Sequence, residues 1–318
     1  MANAVIVVGS FNVDHVWRCA TLPRPGETLA GEYASGPGGK GFNQAVASAR
    51  AGAPTCLVCA LGDDVGAQLA RALAAADGID LRSQRSDAPT GTAGIYVDAE
   101  GRNNIVIGPG ANGTLDVAFV ASQAEAIAAA SVVLVQRESP ADAVAEALRI
   151  ARLHGVATML NPAPANADVD ATLLALADIA TPNETEFAAL VARHLGEALD
   201  AQDVPGLEDA SLHATCRRLL PNGTVVVTLG AAGAFVSHAD VVSRGDAHPH
   251  YRVPAALAHA IDTTGAGDAF SGALAASLAQ RDVPFAAHVA FAARYAARST
   301  ETAGAAASMP KLTPADAG

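Results

Sequence analysis

The sequence reads Ile261-Asp262-Thr263-Thr264-Gly265-Ala266-Gly267-Asp268-Ala269-Phe270 towards its C-terminal end, and a nearly unbroken run of small and apolar residues follows to Ala279. The two glycines allow a tight turn with no side chain above it, and the run after them predicts a buried helix. The first turn of such a helix carries unpaired N–H groups and a partial positive charge, which suit a phosphoryl group. Asp268 at its edge is placed to take a proton from an attacking hydroxyl. An ordinary turn in which Asp268 favours the start of the helix is the alternative.

Apolar runs alternate with helical patterns along most of the chain before this stretch. Strands are predicted at residues 5–8, 56–61, 132–136, 158–161, 179–180 and 225–229. Helices are predicted from about 41 to 51 and at 65–76, 117–130, 141–154, 184–195 and 212–220. Continuous apolar strands that alternate with helices are typical of a parallel sheet covered on both faces, so we expect an α/β protein.

Two hairpin-like segments interrupt this alternation. Residues 11–17 alternate strictly between apolar and polar side chains, as in a strand with one wet face, and 29–33 is a candidate return strand. Residues 92–97 and 104–107 flank a polar turn that contains Gly101. We expect these segments to pair as a small lid, with strands at approximately 11–34 and 92–107, inserted in a single domain that spans residues 1–318.

Composition limits the class of protein. The 318 residues are 51% apolar and 16% charged, which suits a large folded core and excludes disorder. A net charge of −12 argues against a nucleic-acid surface, although backbone N–H groups and a metal can still hold a phosphate. The apolar run at 5–8 is too short for a signal-peptide core or a membrane span. Four cysteines are too few for a disulfide scaffold, so we expect a soluble cytoplasmic protein in which Cys56 and Cys59 are buried strand thiols rather than zinc ligands.

Polar residues and one glycine recur where the predicted strands end: Asn12, Asp14, Glu138, Asn161, Asn183, Glu186, Gly230 and Asp262. Ligands of open α/β sheets bind beyond the carboxyl ends of the strands, although each residue taken alone also suits a cap or a turn. Asn183 and Glu186 lie one helical turn apart, where they could hold magnesium-bound water or form a capping box. The segment 228–233 could line a nucleotide or form a hairpin turn.

Glycine patterns of dinucleotide-binding proteins occur twice, starting at Gly36 and at Gly108, but neither follows a convincing core strand. Residues 34–41 do not match a Walker A loop either, because Ala34 replaces its leading glycine and Gly41 follows Lys40 where serine or threonine is required. A dinucleotide-binding oxidoreductase is therefore a less favoured alternative.

Three N-terminal motifs resemble the signature of the PfkB carbohydrate kinase family: Gly9-Ser10-Phe11-Asn12-Val13-Asp14-His15, Pro25-Gly26-Glu27-Thr28 and Gly38-Gly39-Lys40-Gly41-Phe42-Asn43-Gln44-Ala45. With 161–165, 181–186 and 262–268, the resemblance covers nearly the whole chain to Ser308. It implies a three-layer α/β sandwich around a mainly parallel twisted sheet, with a small β-sheet lid through which two copies often form a homodimer. The implied reaction is transfer of the γ-phosphate of ATP to the O5 hydroxyl of D-ribose. Phosphorylation of fructose, deoxyribose or a nucleoside is the nearest alternative.

The resemblance also assigns roles to individual residues. The sugar would be held by Asn12, Asp14, Gly38, Gly39, Lys40, Asn43, Glu138 and Asp268. Gly265, Ala266 and Gly267 would form an anion hole beside Asp268, the base. Asn183 and Glu186 would serve the phosphates and Mg²⁺, and the nucleotide would contact Thr228, Leu229, Gly230, Ala231, Ala232, Gly233, Gly267 and Ala293. A potassium ion would lie among Asp262, Thr264, Ser299, Thr302, Gly304 and Ser308.

Two residues depart from the common family pattern. Phe42 stands where small residues are frequent, so we expect it to narrow the sugar pocket. Ala293 stands where asparagine or histidine is frequent near adenine, which leaves the nucleotide preference open.

Overall fold

Two β-sheets and the helices around them make up the computed structural model, which describes residues 3–239 and 244–312. The strands are, in chain order, β1 (Val5–Val8), β2 (Asn12–Arg18), β3 (Glu32–Gly38), β4 (Thr55–Leu61), β5 (Asp80–Arg85), β6 (Gly91–Val97), β7 (Asn103–Gly108), β8 (Val132–Val135), β9 (Ala157–Leu160), β10 (Ile179–Ala180), β11 (Thr224–Thr228), β12 (Ala234–Ser237) and β13 (His250–Val253). The helices are α1 (Lys40–Arg50), α2 (Val65–Ala76), α3 (Val117–Ala121), α4 (Ala124–Ala128), α5 (Ala141–Leu153), α6 (Ala171–Ala175), α7 (Glu184–Leu195), α8 (Asp209–Leu219), α9 (Ala266–Gln280) and α10 (Phe285–Ser299).

The large sheet has the strand order β13-β12-β11-β10-β9-β8-β1-β4-β5. Strand β1 pairs in parallel with both β4 and β8, since Val5 lies opposite Thr55 on one side and Val132 on the other. The strands β12 and β13 add an antiparallel edge. The chain crosses from β1 to β4 and β5 on one side and then returns at β8 on the other. Such a reversal opens a crevice beyond the carboxyl ends of β1 and β8, where ligands of these sheets bind.

Helices cover both faces of the large sheet. In β1, Val5 and Val7 face one buried cluster, which includes residues of α1, α2, α9 and α10. Ile6 and Val8 face a second cluster, which includes residues of α3 to α8. Because successive side chains of a strand point to opposite faces, a run that is apolar throughout requires cover on both sides. The predicted three-layer sandwich around a mainly parallel sheet is confirmed.

Helix α9 lies almost wholly inside the protein, packed against the large sheet and against the neighbouring helices α1 and α10. Its contact with α1 is close because Gly272 has no side chain: a Cβ there would lie 2.6 Å from the Cβ of Ala47 and 3.1 Å from the backbone nitrogen of Ser48. This close packing brings the first turn of α1 beside the first turn of α9.

The small sheet has the strand order β3-β2-β6-β7. Asp14 of β2 lies opposite Gly36 of β3 and, in the parallel pair with β6, opposite Ala93. The two interrupting hairpins therefore pair with each other, as expected for the lid. The return strand lies at Glu32–Gly38 rather than at 29–33, because its sequence of small residues and glycine shows no apolar alternation.

Several elements differ from those predicted. The edge strand β5 was missed because its sequence, Asp-Leu-Arg-Ser-Gln-Arg, is polar, which an edge strand tolerates. The short strands β12 and β13 and the helices α6 and α10 were also not predicted, and the single helix predicted at 117–130 is two short helices, α3 and α4. Across residues 3–239 and 244–312, none of the helices has both the length and the hydropathy needed to cross a bilayer.

Candidate active site

A cavity of about 220 Å³ opens at the first turn of α9, beyond the carboxyl ends of the sheet strands. Its walls are formed by Lys40, Asn161, Thr181, Asn183, Glu186, Thr228, Thr263, Gly265, Ala266, Gly267 and Asp268. Gly265 precedes α9 with φ of 77°, a left-handed conformation that favours glycine. The N-terminal turn of α9 thus forms one wall of the cavity.

Asp268 lies at this turn with only 5% of its surface exposed. Its Oδ2 accepts a hydrogen bond from Asn43 Nδ2 at 2.9 Å, and its Oδ1 accepts one from Gln44 Nε2, also at 2.9 Å. Both donors come from the first turn of α1. Because each carboxylate oxygen has two acceptor sites, Asp268 is oriented by two amides and can still accept a further hydrogen bond.

A second group of polar residues adjoins Asp268 on the side of the small sheet. Glu138, which follows β8, accepts hydrogen bonds from Ser10 Oγ at 2.6 Å and from the Lys40 backbone nitrogen at 2.9 Å. The Ser10–Glu138 bond bridges the carboxyl ends of β1 and β8, at the point where the strand order reverses. Asn12 accepts a hydrogen bond from Asn112 Nδ2 at 2.8 Å, which fixes the direction of its amide.

The surroundings of Asp14 disfavour the charged form of its carboxyl group. Its burial, and then the negative charges of Glu138 and Asp268, raise the pKa of Asp14 to about 7. Burial alone would lower the pKa of Lys40, but the carboxylates of Asp268, Glu138 and Glu186 outweigh it and raise that pKa above its ordinary value. The site thus combines several carboxyl groups with the half-buried ammonium group of Lys40.

Asn183 and Glu186 form the opposite wall of the cavity. Asn183 Oδ1 accepts a hydrogen bond from the Glu186 backbone nitrogen at 2.8 Å, and Glu186 Oε2 accepts one from the Asn183 backbone nitrogen at 3.0 Å. The two residues therefore form a capping box at the start of α7, and they also line the cavity. Burial raises the pKa of Glu186, against the opposing hydrogen bonds.

The segment from Thr228 to Gly233 forms the connection between the antiparallel strands β11 and β12, so the hairpin interpretation of its backbone is correct. The Leu229 backbone nitrogen donates to the Gly233 carbonyl at 2.8 Å and closes the turn. Thr228 reaches the cavity wall, whereas Ala293 lies on α10, packed against the core and away from that wall.

Asp262, Thr264 and Gly304, three of the residues expected around a potassium ion, contact one another. Asp262 Oδ1 accepts hydrogen bonds from the Thr264 backbone nitrogen and hydroxyl at 2.9 and 2.6 Å, and Asp262 Oδ2 accepts one from the Gly304 backbone nitrogen at 2.9 Å. These bonds join the turn before α9 to the turn after α10. The hydroxyls of Ser299 and Ser308 instead donate to nearby carbonyl groups.

Phe42 lies in the hydrophobic core. Its ring is 1% exposed and packs edge-on against Phe11, with 5.0 Å between the ring centroids. The ring therefore belongs to the core and is not among the residues that line the cavity at α9, and a narrower sugar pocket stays a prediction.

Comparison with known proteins assigns the chain to a family. The model of the pfkB family carbohydrate kinases matches residues 2–312. The chain belongs to the PfkB family.

Within this family, the ribokinase of Schizosaccharomyces pombe is 36% identical over 98% of this chain and 96% of its own length. The bifunctional ribokinase/ribose-5-phosphate isomerase A of Fructilactobacillus sanfranciscensis is 39% identical over 86% of this chain, which spans 48% of that relative. The structure of Arabidopsis thaliana ribokinase complexed with ribose and ATP matches with a TM-score of 0.82 and 30% identity, over 98% of this chain and 96% of the other.

Several polar residues of this site received no role from the sequence, among them Ser10, Gln44, Asn112 and Asn161. Ser10 and Asn112 hold Glu138 and Asn12, while Gln44 and Asn161 contact each other beside Asp268. Asn161 was noticed as a polar residue at a strand end. The others act through partners more than 90 positions away in the chain, which no local spacing indicates.

Proposed function

We propose that this chain transfers the γ-phosphoryl group of ATP to the O5 hydroxyl of D-ribose. The observation that carries the proposal is the position of Asp268, buried at an anion-binding helix terminus and flanked by polar groups suited to a sugar on one side and to phosphates on the other. The similarity to ribokinases, including one complexed with ribose and ATP, supports these two substrates.

The sugar would be held on the lid side of Asp268 by Asn12, Asp14, Gly38, Gly39, Lys40, Asn43 and Glu138. Carboxylates accept hydrogen bonds from vicinal hydroxyls, and Asn43 Oδ1 is a buried acceptor that has no partner among the described residues. A sugar hydroxyl placed there would remove the cost of this unpaired atom. Gly38 leaves room for the Asp14 carboxylate, which a Cβ at that position would strike.

Asp268 would act as the general base. As the O5 oxygen forms its bond to the γ-phosphorus and the bond from that phosphorus to the leaving oxygen of ADP breaks, the O5 proton passes to the Asp268 carboxylate. The backbone N–H groups at Gly265, Ala266 and Gly267 would stabilise negative charge on the transferring group. Closure of the small sheet over the sugar would exclude water that otherwise accepts the phosphoryl group.

Magnesium would be held through Asn183 and Glu186. Their side chains offer oxygen acceptors on the cavity wall, and Mg²⁺ prefers oxygen ligands, keeps several waters and is shared with substrate phosphates. When bound, the ion would neutralise charge on the phosphate oxygens. The protein groups therefore fit an ion that is held largely through water and nucleotide.

The nucleotide would lie along Thr228, Leu229, Gly230, Ala231, Ala232 and Gly233, near Gly267 and Ala293. A monovalent cation such as K⁺ would lie beside the anion hole, among Asp262, Thr264, Ser299, Thr302, Gly304 and Ser308. The hydrogen bonds that the backbone nitrogens of Thr264 and Gly304 donate to Asp262 support this grouping. Because the turn at 262–264 leads directly into α9, a cation held there would stabilise the anion hole.

We also propose a homodimer joined through the lid. Ile105 and Ile107 of β7 are 52% and 45% exposed, and the strand register places Ile107 opposite Ala93 and so on the same face as Asp14. An exposed apolar strip of this kind suits cover by a second copy. A cytoplasmic location fits the four cysteines of the chain, which are all free thiols.

The test is ADP release by the purified protein with pentoses, hexoses and nucleosides, with and without KCl. We expect ribose to be the preferred acceptor and KCl to raise turnover. Asp268→Asn should lower kcat by about 10²- to 10⁴-fold, the usual contribution of a general base, and leave ribose affinity within about threefold. Asp63→Asn, an exposed carboxylate paired with Arg85, is the control. Turnover in Asp268→Asn close to that of the parent would contradict the assigned base, and absence of turnover with every acceptor would contradict the proposed function.

A further inference from the structure

Gln44 is fully buried in the first turn of α1 and is not part of the cavity wall. Its side-chain amide nonetheless makes three hydrogen bonds to residues around the site. Nε2 donates to Asp268 Oδ1 at 2.9 Å and to Asn161 Oδ1 at 3.0 Å, and Oε1 accepts from Gln136 Nε2 at 2.5 Å. Both amide protons and the amide oxygen of Gln44 are therefore engaged inside the protein.

The direction of the two bonds from Nε2 follows from the acceptor oxygens that face it. Asn161 Nδ2 donates to the Thr181 backbone carbonyl at 2.9 Å, so Asn161 Oδ1 must face Gln44. The Asp268 carboxylate also accepts only. Nε2 of Gln44 is thus forced between two acceptors, and a rotated amide would place Oε1 against a carboxylate. The observed orientation of the Gln44 amide is favoured because the rotated one would lose both bonds from Nε2.

The two amides that orient Asp268 differ in what else surrounds them. Asn43 has a buried oxygen without a partner among the described residues, so its amide is available to rearrange when a sugar enters. Gln44 has no such unpaired atom. It also reaches the opposite wall, because Asn161 Nδ2 lies 3.4 Å from Glu186 Oε2. The bond from Gln44 to Oδ1 is therefore the one that can persist while Oδ2 faces the sugar.

We propose that Gln44 is a positioning residue for the phosphoryl-transfer step, holding Oδ1 of Asp268 so that Oδ2 faces the attacking hydroxyl. Gln44 neither gains nor loses a proton; the hydroxyl proton passes to Asp268 while the new O–P bond forms. The inference rests on the proposed function of Asp268 as the base. If the carboxylate of the base is displaced by about 1 Å from the attacking hydroxyl, the rate of phosphoryl transfer falls by on the order of 10²-fold.

A purely structural role for Gln44, joining α1 to α9, would affect folding and sugar binding together. The test therefore uses Gln44→Met, which keeps the length of the side chain and removes both donors, and Gln44→Glu, which keeps its shape. Ser48→Ala is the matched control, since Ser48 is buried one turn further along α1 and accepts a hydrogen bond from Thr55 at 3.1 Å, away from the cavity wall. The measurements are kcat and KM for the acceptor that the parent enzyme turns over, sugar affinity by calorimetry, Tm and the pH dependence of kcat.

Gln44→Met is expected to lower kcat by about 10- to 100-fold, with sugar affinity within about threefold of the parent, whereas Ser48→Ala lowers Tm without a comparable loss of kcat. Gln44→Glu should move the acidic limb of the kcat profile to higher pH, because a second carboxylate beside Asp268 favours its protonated form. The other charges that act on Asp268, namely Asp14 on β2, Lys40 on α1 and Glu186 on α7, are the same in every variant, and so is Glu138, which follows β8.

The proposal is overturned if kcat of Gln44→Met stays within threefold of the parent, or if kcat and sugar affinity fall by the same factor. If Gln44→Met does not fold, Gln44→Glu decides alone, and an unchanged pH profile with normal kcat would overturn the proposal. A parent enzyme that turns over no sugar would instead refute the proposed function itself, so the two failures are distinguishable.

Discussion

Replacing Asp14 with asparagine should make the stability of the protein less dependent on pH. The pKa of Asp14 is raised from 3.8 to about 7, so its protonated form favours the folded state. The stability it contributes is complete below 3.8 and is lost as pH rises through 7. A shift of about three units corresponds to about 4 kcal/mol as an upper limit, and partial solvent screening reduces this to about 2 kcal/mol. Because part of the loss has already occurred at pH 5, we expect about 1 to 1.5 kcal/mol of it between pH 5 and pH 8.5.

The assay is urea unfolding of the sugar-free protein at pH 5 and pH 8.5, followed by circular dichroism and by the fluorescence of Trp17, the single tryptophan, which lies on β2. The stability of Asp14→Asn relative to the parent should rise by about 1 to 1.5 kcal/mol from the lower pH to the higher. Asp63→Asn removes the same charge from an exposed side chain and controls for net charge. A difference that stays flat with pH, or that changes in the opposite direction, would refute the electrostatic reasoning for Asp14.

The remaining predictions concern the anion hole, the metal and the lid. Gly265→Ala should lower the free energy of unfolding by about 1 to 3 kcal/mol and should also lower kcat, because Gly265 has φ of 77° and a Cβ there would lie 3.1 Å from Ala305. Gly78→Ala is the control, since Gly78 has a similar φ of 67° but open space around it, and it should lower stability alone. An unchanged kcat in Gly265→Ala would count against the anion hole. Glu186→Gln should raise the Mg²⁺ concentration for half-maximal ADP release at least about tenfold while ribose affinity by calorimetry stays near normal, and an unchanged Mg²⁺ requirement would exclude its role. Ile105→Lys should convert a dimer to a monomer in light scattering, and a parent that is already monomeric would refute dimerisation through the lid.

The sequence was most informative where one local pattern determines one local structure. The apolar runs at Val5–Val8 and Cys56–Leu61 predicted buried strands, and both lie in the large sheet. Patterns that depend on position in the sheet were less informative. Strand β5 is polar because it lies at an edge, so only its neighbour β4 explains why it forms.

In the candidate site, too, local features could be predicted from the sequence and contacts between distant residues could not. Its turn at Gly265–Asp268 could be recognised from the sequence because glycine spacing and the following apolar run act within a few residues of each other. The hydrogen bonds that orient Asp268 could not, since Asn43 and Gln44 lie 225 and 224 positions earlier in the chain. Gln44 stands in a helix next to Asn43 and shows nothing unusual by its spacing.

By itself, the sequence predicted that a glycine turn with a carboxylate begins a buried helix, and that polar residues end several strands of an α/β sheet. The tertiary structure decided which of these groups meet. Packing of α1 against α9 at Gly272 brings Gln44 to Asp268, and the reversal of strand order between β1 and β8 brings Ser10 to Glu138. The raised pKa of Asp14 follows from the same convergence, because burial and repulsion between charges depend on distances in space and not on separation along the chain.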